Sequence, residues 1–303
     1  LDFSLMKDSM SNSGYIVTTN SVIKEIQIYI REDAMKKIQS IITTAGILIL
    51  SVFMLLPFGY MLISSLQITY SQYRISFDVS KFTLHNYYAI FQLPSFNAWI
   101  RNSLFISIVG VIWTLLICTL AAYAFAKKRF PGDDRIYFMF YATLCIPFPA
   151  TVVPLWLMVG KLGLMDTFWP LILPIPSMLG VVLIRQAIIA IPKEMFESAR
   201  IDGCTDKKIM RKIVIPMIRP ILITVGILFF TRSWNSLLWP LIVSNTDATK
   251  TLPVGLAAIQ GGTDINYGMI MAASMLNFLP PFLIYLFMHK YFLAGITGSG
   301  LKN

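Results

Sequence analysis

Six runs of about 20 mostly apolar residues, near 40–64, 103–126, 136–159, 170–190, 217–243 and 269–288, constrain this chain more than any other feature. A helix rises 1.5 Å per residue, so a run of this length crosses the ~30 Å hydrocarbon layer of a bilayer. No water pairs with exposed peptide groups in that layer, and a single apolar run is stable there only as a helix. The chain therefore reads as an all-α integral membrane protein with six transmembrane helices. Composition agrees, with 56% hydrophobic and 13% charged residues, against roughly half and a quarter in soluble domains. Pro147, Pro149 and Pro154 in the third run, and Pro280 with Pro281 in the sixth, predict kinked helices, tolerated where neighbours pair the freed carbonyls.

A net charge of +10 at pH 7 raises the question of a nucleic-acid partner, and its distribution answers it. Of the 25 Lys and Arg residues, 19 fall in segments 1–39, 127–135, 185–219 and 289–303, while 67–100, 160–169 and 244–268 hold only 4. Cytoplasmic loops carry the excess of basic residues, which places both termini in the cytoplasm and makes the charge an orientation signal, with no nucleic acid involved. The two remaining basic residues are Arg101, at the mouth of the second run, and Arg232, inside the fifth.

Residues 1–34 are polar and mixed and read as an N-terminal cytoplasmic extension, with 35–303 as the transmembrane domain. Met35-Lys36-Lys37 before an apolar run could open a secretory signal. No small-residue cleavage site follows Leu66 and five more runs come after it, so 40–64 is expected to be a retained helix. Cys118, Cys145 and Cys204 lack paired spacing or His partners, which leaves packing as their role rather than disulfides or zinc. The spans hold no His, no metal-ligand spacing and no Ser–His pair, so neither a catalytic site nor a bound metal is expected. The loop 67–100, with Asp78, Lys81, His85, Asn86, Tyr87, Tyr88, Phe91 and Trp99, is either a contact for a solute-delivering partner or an aromatic belt at the lipid interface.

Between the fourth and fifth runs lies a charged but patterned segment, Ile191 to Pro216. Pro192 suits a helix start, Gly203 a left-handed helix stop, and Thr205 or Asp206 the cap of a second short helix. In the first helix Met195, Ala199 and Asp202 fall three or four apart, as do Glu197, Arg200 and Ile201. This spacing predicts a small apolar face beside an acidic edge, suited to docking in a partner's groove.

Glu197-Ser198-Ala199-x-x-x-Gly203, followed by Ile213-x-x-Pro216, resembles the EAA signature of bacterial ABC importer permeases, with Ser198 in place of Ala and Ile215 in place of Leu. Asn102-Ser-Leu, Ala121-Ala-Tyr-Ala-Phe-Ala, Arg129-Phe-Pro-Gly, Trp169-Pro-Leu-Ile-Leu-Pro174, Trp234-Asn235, Leu238-Trp-Pro-Leu and Thr251-Leu-Pro-Val-Gly-Leu extend the resemblance, to MalG-type permeases of carbohydrate importers, over about residues 38–303. The resemblance implies a type I importer permease fold in the bacterial inner membrane, paired with a second homologous permease, two ATPase subunits and an extracellular solute-binding protein. It implies a coupling helix in which Glu197, Ser198, Ala199, Asp202, Gly203, Ile213 and Pro216 engage the ATPase. The tail, with Gly298, Gly300 and Lys302, resembles a C-terminus that reaches the ATPase interface; a frayed end is the alternative.

The chain has no Gly-x-x-x-x-Gly-Lys-Ser/Thr phosphate loop; the nearest string, Gly295 to Lys302, has Leu301 at the lysine position. ATP and Mg are therefore expected on the partner ATPase chains, and this chain is a transporter subunit rather than an enzyme. Trp234, Asn235, Trp239 and Asn277 are candidates for a sugar path, with helix packing as the equal alternative. Arg232 is costly inside a membrane helix, by about 2.5–3.5 kcal/mol, which points to an anionic solute such as an acidic sugar, to the sister permease, or to the outer interface. The rival functions are a secondary carrier, against which stands the absence of buried Asp or Glu and of an internal repeat, and an importer for glycerol phosphate or another non-sugar solute.

Overall fold

The computed structural model describes residues 19–69, 78–260 and 266–297, and every element among them is helical. The chain divides into two compact units, 1–60 and 61–303. The first is carried by helix α1 (Thr19–Ser65), whose described side chains from 27 to 59 are all exposed. Its stretch Gln27–Ser65 is apolar enough to cross a membrane, and the helix runs without a break through position 34, where the sequence suggested a separate extension.

The second unit is built around α3 (Phe96–Lys127), 32 residues long, preceded by α2 (His85–Phe91). Then come α4 (Asp133–Ala142), α5 (Phe148–Lys161), α6 (Trp169–Ile172) and α7 (Met178–Ile189). After them follow α8 (Lys193–Ile201), α9 (Asp206–Ile209), α10 (Ile215–Met217) and α11 (Arg219–Trp234). The chain continues through α12 (Leu238–Val243), α13 (Leu252–Gln260) and α14 (Tyr267–Thr297).

The runs at 136–159, 170–190 and 217–243 are each divided, the first of them at the prolines expected to kink it, and proline explains two of the breaks. Ile146 precedes Pro147, whose ring disfavours helical backbone at the residue before it; Ile146 is extended at φ −84, ψ 115, and the two halves of the third span meet at 105°. Pro174 and Pro176 separate α6 from α7 in the same way. The fifth run breaks at Asn235, between α11 and α12. Among the described residues three continuous helices remain long and apolar enough to cross alone, Gln27–Ser65, Phe96–Lys127 and Tyr267–His289. The last passes through Pro280 and Pro281 without interruption.

Helix α3 contributes to all three apolar cores. Cys118, Ala122 and Tyr123 pack with α7, α8 and α11; Phe96 and Trp99 with α2, α13 and α14; and Ile106 with α5, α6 and α12. Among the cysteines Cys118 is buried, Cys204 half-buried and Cys145 exposed, so the packing role expected of all three fails for Cys145 on its outward-facing turn.

Close approach demands glycine at Gly255, where an added Cβ would lie 2.1 Å from the ring of the buried Trp99. At Gly226 the nearest atom would be 3.6 Å away, an ordinary contact. Gly255→Ala is therefore expected to destabilise the fold by about 1–3 kcal/mol, whereas Gly226→Ala leaves it unchanged or slightly better. Thermal unfolding of the purified chain checks the difference; equal melting of the two variants would refute the close packing.

Candidate functional site

The segment from Ile191 to Ile218 is half built into the core. Pro192 opens α8 in extended conformation at φ −53, ψ 139, where its missing N–H is not needed. Phe196 and Ala199, three residues apart, share the inward face and are each 6% exposed, packed with Ile191, Ile209, Val214 and Ile218 against α3 and α7. The ammonium of Lys127, from the last turn of α3, lies 3.9 Å from the centre of the Phe196 ring.

The end of α8 is a Schellman motif. Gly203 adopts φ +71, its N–H donates to the Arg200 carbonyl at 3.0 Å, and the Cys204 N–H donates to the Ala199 carbonyl at 2.9 Å. Thr205 stands at the N-cap of α9 but makes no side-chain capping bond. Asp206 anchors the segment instead. Its carboxylate accepts from the Tyr123 hydroxyl at 3.1 Å and from Lys128 Nζ at 2.6 Å, both at the end of α3.

The backbone then widens into a π turn, Met210–Val214. Pro216 accounts for it, having no N–H for the Lys212 carbonyl and a ring that crowds that group. The segment ends in a 77° bend into α11. Ile213 is half-buried in the same core, and Pro216 itself is exposed.

Ala199 does not belong to an outward apolar face, as its spacing suggested. Phe196, the larger residue three positions earlier, takes that side of the helix into the core and Ala199 with it. What remains outside is Lys193, Glu194, Met195, Glu197, Ser198, Arg200, Ile201 and Asp202, with Ile201 86% exposed. Among the described residues the Glu197 carboxylate has no cationic partner. The outward side thus combines an exposed aliphatic residue with an unpaired carboxylate on a helix whose inner face is packed against α3 and α7.

Trp234 and Trp239 are both buried, with their indole N–H groups taken by backbone carbonyls. Trp234 is 1% exposed, stacks on Phe230 with ring centres 5.8 Å apart, and donates its Nε1–H to the Asn277 carbonyl at 2.9 Å. Trp239 donates to the Pro170 carbonyl at 2.7 Å. Asn277 also keeps its side-chain oxygen buried without a partner among the described residues. Asn235 and Arg232 are exposed, the latter with its guanidinium 5.6 Å from the Phe229 ring. Gly298, Gly300 and Lys302 lie outside the described residues.

At the opposite end of α3 a polar clamp appears that sequence reasoning missed. Asn102 Nδ2 donates to the carbonyls of Ala248 and Lys250, both at 3.0 Å, and the Leu252 N–H donates to Ser103 Oγ at 2.7 Å. Asp247 accepts from Ser95 Oγ at 2.5 Å and Lys250 Nζ at 3.0 Å. Asp166, at a left-handed φ of 59, accepts from the Asn245 and Thr246 N–H groups at 3.0 and 3.1 Å and from the Thr249 hydroxyl. Burial acts to raise the Asp166 pKa, but these donors outweigh it and hold the carboxyl down to about 2. In the neighbouring loop Asn86 is fully buried and donates to the Ser65 and Gln67 carbonyls, each at 2.8 Å, while Tyr88 and Phe91 are exposed.

Residues 115–298, from the core of α3 through the segment and on to the sixth span, match the model of the family described as binding-protein-dependent transport system inner membrane component. The chain belongs to this family. The arabinooligosaccharide transport permease AraQ of Halalkalibacterium halodurans is 37% identical over 229 residues, 75% of this chain and 82% of that protein. The trehalose/maltose transport permease MalG of Thermococcus litoralis is 29% identical over 281 residues, 90% of this chain and 99% of that one. A bacterial ABC transporter involved in import of the acidic polysaccharide alginate shares the fold at 22% identity and TM-score 0.75, covering 85% of this chain and 98% of its own. The chain is thus a transport permease subunit, not an enzyme, with the fold of type I importer permeases. Within that fold the clamp joins two stretches that the family resemblance had named separately, Asn102-Ser-Leu and Thr251-Leu-Pro.

Two outcomes check the geometry. An alanine Cβ at Gly203 meets open space, so Gly203→Ala is expected to cost only the backbone term, about 1–2 kcal/mol; Gly203→Asn costs less, and equal unfolding of all three proteins would refute the motif. Asp166 has its folded pKa depressed from 3.8 to about 2, so its contribution to stability is complete above about pH 4 and fades as pH falls toward 2. Wild type is expected to melt above Asp166→Asn at neutral pH and to converge with it near pH 2; a gap that stays constant would contradict the assignment.

Proposed function

We propose that this chain is the permease subunit of an ATP-driven bacterial importer for carbohydrate, driven by separate ATPase subunits through its Lys193–Pro216 segment. The observation that carries this reading is the two-sided character of α8. Phe196 and Ala199 fix it to the membrane core, while Ile201 and the unpaired Glu197 are presented outward. An exposed aliphatic residue beside a carboxylate suits a groove with an apolar floor and a basic rim. ATP and Mg then belong to the ATPase pair, and the motion of that pair reaches the spans through Asp206, the Pro216 bend and the Phe196 contact. The sugar class rests on relatives named for arabinooligosaccharides and for trehalose and maltose. A second homologous permease completes the pathway, an extracellular solute-binding protein delivers the sugar, and both termini lie on the cytoplasmic side of the inner membrane.

Arg232 favours a narrower second reading, in which the solute is an acidic sugar. Its guanidinium is exposed and has no carboxylate partner among the described residues, and the fold neighbour imports an acidic polysaccharide.

Glu197→Lys and Ile201→Asp are each expected to abolish co-purification of the ATPase and to reduce sugar uptake at least tenfold, while leaving the chain folded in the membrane. Normal ATPase capture by both variants would sink the coupling assignment. For the solute, Arg232→Gln is expected to impair uptake of an acidic sugar more than that of a neutral one; equal losses, or none, would remove the acidic reading.

A further inference from the structure

An apolar groove of about 370 Å³ lies between α3, α11 and α14, walled by Ile112, Leu115, Ile223 and Ile284, with the side-chain-free Gly226 in its lining. Its one charged lining residue is Arg219, in the first turn of α11 on the basic side of the molecule. Among the described residues Arg219 has no carboxylate partner. From Arg219 to Phe230, both of which line the groove, α11 rises about 16 Å, half the ~30 Å hydrocarbon thickness and so the depth of one leaflet. The apolar walls offer no polar side chain along that length. The ligand that fits has one anionic end and a long unbranched apolar remainder. A basic pocket between membrane helices at the headgroup level has the chemistry of an anionic-lipid site.

We propose that this groove holds an acyl chain of an anionic phospholipid whose phosphate pairs with Arg219. An apolar helix of a partner would find the same walls but would offer no anion to the guanidinium, which is the groove's one charged lining residue. A zwitterionic lipid would seat its chain equally well and gain less at Arg219, because its headgroup carries its own cation. Headgroup charge therefore sets the selectivity of the site, and the walls set affinity for the chain.

The test is native mass spectrometry of the full chain, extracted with its associated subunits, stripped of lipid and titrated with phosphatidylglycerol or with phosphatidylcholine of the same acyl chains. Wild type is expected to retain one phosphatidylglycerol in preference to phosphatidylcholine. Arg219→Gln weakens phosphatidylglycerol roughly fivefold, the effect of one cation at an anionic headgroup, and weakens phosphatidylcholine by less; Arg219→Lys retains most of the preference. Ile112→Trp, which fills the groove from an exposed position with the cation intact, weakens both lipids, and it decides the matter should Arg219→Gln fail to fold. Equal retention of the two lipids by wild type would overturn the proposal. So would unchanged phosphatidylglycerol binding in Arg219→Gln or in Ile112→Trp, or a disulfide from Ile112→Cys to a second permease showing that protein covers the groove.

Discussion

In hydrocarbon a peptide carbonyl that leaves a helix finds no water, so a broken membrane helix survives only where another part of the protein supplies the missing partner. Two carbonyls that proline leaves without a helical partner, those of Pro170 and Asn277, are closed in that way. The Pro170 carbonyl, beside the proline-rich gap that follows α6, receives the Trp239 indole N–H, and the Asn277 carbonyl, three residues before Pro280, receives that of Trp234. The carbonyls of Ala248 and Lys250, in the turn between α12 and α13, are taken by the single amide of Asn102. Two tryptophans and an asparagine thus let the chain use short, bent helices where a lone apolar run would need to be straight.

That compensation concentrates on α3. Its first turns hold the 244–252 loop through Ser95, Trp99, Asn102 and Ser103, and its last residues hold the 191–218 segment through Tyr123 and Lys127, with Lys128 just beyond. At 32 residues the helix is about 48 Å long. Neither attachment is strong by itself; the Lys128–Asp206 pair, with its partners 42% and 50% exposed, is worth at most about 1 kcal/mol. Their value is geometric, because they add to the buried Phe196, Ile209 and Val214 in seating the segment against α3. On the proposed coupling, a force applied at Glu197 and Ile201 would reach the helix that also fixes the far loop.

Much of this was legible in the sequence, for reasons that particular residues make plain. Gly203 and Pro192 act locally, through their own backbone preferences, and both stand where the spacing put them. The apolar runs and their prolines foretold bent helices but not which would break, since a proline is tolerated in one context, as at Pro280, and breaks the helix in another, as at Pro147. The inward turn of Ala199 was hidden because spacing alone gives two faces of a short helix and only packing against α3 decides between them. The burial of Trp234 and Trp239 and the carbonyls that take their N–H groups depend on residues 43 and 69 positions away, which no local pattern shows. The Asp166 and Asp247 clamp joins residues about 80 to 150 positions apart, beyond the reach of any local pattern.

Whether the segment and α3 form one body is open to direct measurement. Spin labels at Ser198, on the outward side of α8, and at Leu120, on the exposed side of α3, report the distance between them in the assembled transporter with and without ATP. The account predicts one narrow distance that does not change with nucleotide, because the two elements move together. A distance that broadens or shifts by several ångströms on ATP binding would show the segment moving independently and would contradict the central claim.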